Sequence, residues 1–185
     1  MNAASHRMLG EHLIGLYMKQ VSPKNKKAFL LGCMTPDRNP TTYVKGSIRC
    51  QWLRGHNWGN ARRYISRLCR RLERRKKLRL ADYYNLGKLI HYTADGFTYP
   101  HNSAFQQGLR AHRRYERQLY WALRSFLRHP QRPMFPALPG IEQTILAHHR
   151  LYREHPWGTD TDTRFCYSAV CAVMALVTAK QPARI

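Results

Sequence analysis

His91 and Asp95 stand four residues apart, and so do His112 and Glu116. Residues at i and i+4 of an α-helix project from one face, about 6 Å apart along the axis, so each pair can close on a single ion. His101 lies between the two copies. On the second segment Phe105, Leu109, His112, Glu116, Leu119 and Leu123 share one helical stripe, which puts a histidine and a carboxylate on the face expected to pack inward. A lone carboxylate there is costly to bury unless it is paired or metal-bound. Gly87 precedes His91 by one turn on the same face, where a missing side chain leaves room. Taken singly, either pair also suits a solvated helix surface, where such contacts contribute little. Two pairs flanking a third histidine are harder to assign to a surface.

The rest of the chain is written in the same period. No stretch shows convincing period-two alternation, and no internal repeat or low-complexity linker is present. Helices are expected over about 4–20, 26–33, 59–77, 82–97, 103–128, 141–154 and 162–180, with Asp82 as a cap. The segment "MTPDRNPTT", which carries Asp37, reads as a proline-broken loop, and 41–57 has no clear assignment. At 185 residues this predicts one compact all-α domain, residues 1–185, with the last helix central to the core. His148 and His149 are expected on the surface, because adjacent helical residues point about 100° apart.

Thirty-two Lys and Arg against ten Asp and Glu leave a formal charge of +22, which draws the chain to polyanions: nucleic acid, anionic headgroups or a phosphate-bearing substrate. The helix within "ARRYISRLCRRLERRKKLRL" puts Ala61, Ile65, Leu68 and Leu72 on one stripe. Arg70, Arg71, Arg74 and Arg75 are its candidate polyanion contacts; the alternative is an ordinary solvated face. Five scattered cysteines without C-x-x-C spacing read as reduced thiols. The start has no secretory pattern, and "FCYSAVCAVMALV" is too short to span a bilayer, so a cytoplasmic protein without a transmembrane segment, peripheral at most to a membrane, is expected.

The order H-x3-D-x5-H-x10-H-x3-E, from His91 to Glu116, resembles the signature of the zinc-dependent phospholipase C family, to which fungal zinc nucleases are more distantly related. The resemblance extends upstream through "SHRMLGEHL", "AFLLGCMTPDRNP" and His56 in "RGHNWGN", over roughly residues 5–120. It implies an all-α metal-dependent hydrolase domain. It further implies a zinc ion on Asp37, His56, His91 and Asp95, with Asp95 reaching a neighbouring ion, and a second on His101, His112 and Glu116. His6 resembles the family's ligand to a third ion, with His12 a weaker competitor. Secreted relatives add the amino group of a processed N-terminal tryptophan, which this chain lacks, so the count stays at two or three. The ligand types also accept Mn²⁺ or Fe²⁺. Asp37 could in addition take the proton of the attacking water. The implied reaction is metal-hydroxide attack on a phospholipid-type phosphodiester. The alternatives are a nuclease-like phosphodiesterase and a non-enzymatic basic protein that binds nucleic acid or membrane.

Overall fold

The computed structural model describes residues 1–38 and 57–180. Among the described residues there are seven α-helices and no strand: α1 (Ala3–Tyr17), α2 (Pro23–Arg38), α3 (Trp58–Glu73), α4 (Leu80–Gly96), α5 (Leu109–Phe126), α6 (Ile141–Arg153) and α7 (Thr159–Ala179). A single 3-10 turn, Tyr99–His101, joins α4 to α5. The expected all-α class is the observed one.

Two helices form the centre. α4 is buried along most of its length, and α7 buries Phe165 to Met174 without a break. α2, α3 and α7 pack on α4, and α5 and α6 pack on α7. α7 is long and apolar enough to cross a membrane by length and composition, yet most of its surface is covered by the other helices. α3 shows how an amphipathic sequence docks. Asn57 caps it by accepting the Asn60 N–H at 3.0 Å, and Ala61, Ile65, Leu68, Cys69 and Leu72 form its buried stripe. It ends at Glu73 and not near Lys77, just before the four consecutive cations Arg74, Arg75, Lys76 and Lys77. Like charges on successive turns disfavour helix, and the Glu73 carboxylate instead accepts the Ile141 N–H at 2.7 Å, tying α3 to the start of α6.

Asp82 is not the cap residue of α4 but its third residue. It accepts the Arg79 N–H at 3.2 Å and pairs with Arg71 at 3.2 Å and Arg75 at 3.5 Å.

α2 departs most from expectation. It runs through Pro36 to Arg38, so Asp37 rides on the end of a helix and not on a loop. Pro36 stands only two residues from the helix end, where its missing N–H forgoes a single intrahelical bond. The crossing of α2 on α4 is made by two glycines. A Cβ on Gly87 would collide with the Phe29 carbonyl and lie 2.8 Å from the Cys33 nitrogen; one on Gly32 would meet the Tyr84 carbonyl. The room at Gly87 is thus taken by the backbone of α2, which brings the end of that helix against His91.

α5 starts at Leu109, six residues later than expected. Phe105 is buried ahead of the helix, while Leu109 is 75% exposed and leaves the inward stripe. His148 and His149 are also corrected: both are buried. α6 is wedged between α3 and α7, so two of its faces are covered and adjacent residues can both point inward. His149 stacks on Trp58 with ring centroids 3.7 Å apart, and His148 meets Phe135 at 5.2 Å.

Candidate metal centre

Four side chains from three helices converge at the end of α4. His6 comes from α1, Asp37 from α2, His91 and Asp95 from α4, and their ligand atoms lie within 4.8 Å of one another. His6 Nε2 is 3.1 Å from Asp95 Oδ1 and 4.0 Å from Asp37 Oδ2. His91 Nε2 is 3.3 Å from Asp95 Oδ2 and 3.6 Å from Asp37 Oδ1. The two imidazoles stack at 3.8 Å.

The protonation of His91 follows from its neighbours. Its Nδ1 sits 2.8 Å from the Cys33 carbonyl, which can only accept, so Nδ1 carries the hydrogen. Burial, then the charge of His6, pushes its pKa down to about 4 against the opposing pull of Asp95 and Asp37. A neutral ring leaves the Nε2 lone pair facing two carboxylates. Such a convergence of acceptors suits a cation, and the backbone bond on the far nitrogen is the support a ligating histidine ordinarily has.

The second cluster is His101, from the 3-10 turn, with His112 and Glu116, from α5. His112 Nε2 is 3.2 Å from Glu116 Oε1, and the His101 and His112 rings meet edge to face at 5.1 Å. Thr98 donates its hydroxyl to the Asp95 carbonyl at 2.8 Å, so its oxygen accepts from His101 Nδ1 at 2.8 Å. His101 Nε2 is then left as the lone pair, 3.6 Å from Asp95 Oδ2. Asp95 therefore touches both clusters. Burial would raise its carboxyl, but the electrostatic pull of its neighbours, His101 first, then the N-terminus, His6 and His91, outweighs burial and holds it well below the usual range. Glu116 is also lowered: burial opposes, but the His112 hydrogen bond and the N-terminal charge prevail.

A third participant is the Met1 ammonium, buried between the clusters, which pairs with Asp95 and lies 3.3 Å from Glu116 Oε1. Burial alone would lower its pKa, yet Asp95, Glu116 and Asp37 together raise it to about 10. Sequence reasoning set an N-terminal amino group aside with the absent tryptophan, and missed the supporting roles of Thr98 and the Cys33 carbonyl. No residue-type pattern marks a backbone carbonyl; Thr98 alone could be noticed, standing three residues before His101.

Of the other candidates, His56 lies outside the described residues. His6 is grouped with Asp37, His91 and Asp95 and not apart from them. His12 is away from both clusters, its Nε2 3.5 Å from the Tyr167 hydroxyl. Arg70 and Arg74 are exposed on α3 and at its end, whereas Arg71 and Arg75 are held by Asp82. Cys33, Cys69, Cys166 and Cys171 are unpaired and buried, and burial pushes each thiol up.

Three of the chain's ten acids are spent on this one place, together with four histidines and no thiolate. Imidazole and carboxylate donors in two adjoining sets suit zinc. The family model described as zinc dependent phospholipase C matches residues 5–162 of the 185. The chain belongs to that family. Among curated proteins and solved structures, none matches it.

Proposed function

We propose that this chain is a phosphodiester hydrolase acting on a phospholipid-type substrate. The observation that carries the reading is the pair of adjoining imidazole–carboxylate clusters joined through Asp95, in a chain of the zinc-dependent phospholipase C family. His6, Asp37, His91 and Asp95 would hold one part of a zinc centre and His101, His112 and Glu116 the other. His56 is implied as a further ligand by the family pattern. Zinc supplies Lewis acidity for the phosphodiester and its attacking water, and Mn²⁺ or Fe²⁺ would suit the same donors.

The chain's own groups set up the rest. The Cys33 carbonyl and Thr98 hydroxyl fix the tautomers of His91 and His101, so both present Nε2 to the centre. Asp95 spans the two sets and keeps them in register. Asp37 is the only member of its cluster with appreciable exposure, its side chain 15% accessible, which makes it the group to accept a proton from an incoming water. Phospholipid is preferred to nucleic acid because the family's reaction is on lipid; the charge of +22 suits either phosphate source.

The test is elemental analysis of zinc-supplemented protein, followed by assay on a soluble short-chain phospholipid and on single-stranded oligonucleotide. Two or three ions per chain with lipid turnover are expected, and Asp37→Asn should lower kcat by about 100-fold or more, as for loss of a general base. Folded protein that binds no transition metal, or metal-loaded protein that cleaves only the oligonucleotide, would overturn the reading.

A further inference from the structure

α5 carries metal-centre residues on its inner face and has an unusual outer one. At about 100° per residue, Arg110, Arg113, Arg114, Arg117, Trp121 and Arg124 fall within a single sector of about 100°. All six are exposed. None of the five arginines forms an ion pair with a described residue, and the helix has no acid but Glu116, which faces the other way. Trp121 is 61% exposed, with the Arg124 guanidinium 5.2 Å from its ring.

From this we infer that the outer face of α5 is a docking surface for a phospholipid bilayer with anionic headgroups. The helix lies flat on the interface, its arginines meet phosphates, and Trp121 enters the headgroup layer. A tryptophan has an apolar body and one N–H donor, the combination that settles at that depth. Trp121 is the one exposed aromatic residue of α5, whereas a face made for single-stranded nucleic acid stacks successive bases on several rings. The basic face of α3 is a poorer candidate, because Asp82 already engages Arg71 and Arg75. Position supports the assignment too. His112 and Glu116 are 27% and 18% exposed, so the second cluster is the open one, and the same helix would hold it close to the lipid.

The inference rests on the phospholipid reading, and the two can fail separately. Metal-loaded wild type, Arg113→Gln/Arg117→Gln/Arg124→Gln and Trp121→Ser are compared on vesicles of phosphatidylcholine with about one-third phosphatidylglycerol, on a soluble short-chain phospholipid and on single-stranded oligonucleotide. Each basic residue at an anionic surface is worth about fivefold, so the triple variant should partition to vesicles roughly 100-fold more weakly. Vesicle turnover should fall with it, while turnover of the soluble lipid is unchanged. Bromine-labelled acyl chains should quench wild-type fluorescence more than that of Trp121→Ser, a reading that stands even if the triple variant misfolds. Wild-type partition in the triple variant, or quenching that is the same with and without Trp121, overturns the docking surface. Loss of oligonucleotide binding with vesicle binding intact also overturns it, in favour of a nucleic-acid face. If vesicle binding falls as expected but the wild type hydrolyses no lipid, the surface stands and the substrate assignment is the part that fails.

Discussion

The two clusters of the centre use the same residue types but are built in opposite ways. His6, His91 and Asp95 are buried, and three helices supply the first cluster, so its geometry depends on how α1, α2 and α4 pack. The second cluster is drawn from one helix and the turn before it, and two of its three members reach solvent. A buried set is held rigidly but is sensitive to any change in packing, since a charge left there without its partner costs far more than the pair contributes. An open set tolerates losing a member but is where water and substrate can enter. Asp95 is the hinge between the two, contacting His91 on one side and His101 on the other.

Single truncations should separate them. His91→Ala removes a fully buried ring stacked on His6 and leaves the Cys33 carbonyl without its donor, and should cost about 3–5 kcal/mol, as for truncating other large buried rings. It should also lower the bound zinc. Glu116→Ala should lower the zinc while costing only about 1 kcal/mol, because its partner His112 can be hydrated. Urea unfolding with chelator present, together with zinc stoichiometry, measures both. Equal stability losses would erase the distinction between a buried and an open set.

A second experiment attacks the packing on which only the first cluster depends. Gly87→Ala drives a methyl into the Phe29 carbonyl, so α2 must move away from α4 and carry Asp37 with it. The expected cost is about 3 kcal/mol, at the upper end for overpacking. Zinc should be lost from the first cluster while His101, His112 and Glu116 still bind. Metal spectroscopy with cobalt in place of zinc would show whether one set of ligand-field bands goes or both do. Unaltered spectra and stability would mean that the close crossing does not position Asp37.

How much of this could be read beforehand depends on the range of the contact. The pairs His91/Asp95 and His112/Glu116 are local: a helix of known pitch places them, and the sequence shows the pitch. The all-α class follows from the same periodicity. Asp37 was legible as a ligand type only through the family pattern, and its setting was not, because Pro36 reads as a break whereas two residues of helix can follow it at small cost. Gly87 was noticed for the wrong reason. Its missing side chain reads as open room beside His91, while the structure fills it with the backbone of α2, a contact across 50 or more residues that no local pattern reveals. His148 and His149 fail for the same cause: whether one or two faces of α6 are covered depends on α3 and α7.

A pH-dependent effect concerns His149, a buried histidine in neither cluster, which separates acid sensitivity of the scaffold from that of the centre. Asn102 donates its amide hydrogens to the Gly96 and Thr98 carbonyls, so its oxygen faces His149 and accepts from Nε2 at 3.0 Å. Burial first, then the charges of Arg153 and Arg62, pushes the pKa of His149 down to about 3. A folded pKa below the unfolded value of 6.5 means that the neutral ring's stabilisation is complete above pH 6.5 and drains away as pH falls towards 3. By pH 5 the loss should be at most about 2 kcal/mol. Asp162 acts with the opposite sign. Burial raises its carboxyl to about 6 despite hydrogen bonds from Tyr152, Tyr99 and Tyr115, so its contribution is full below 3.8 and lost as pH rises through 6. That term is common to wild type and to His149→Gln, a variant that keeps an N–H donor but does not titrate, and it cancels in their difference. In chelated protein the difference in unfolding free energy should therefore narrow from pH 7 to pH 5, from a value set by the lost stack on Trp58. A constant difference across that range would place the acid sensitivity in the two clusters instead.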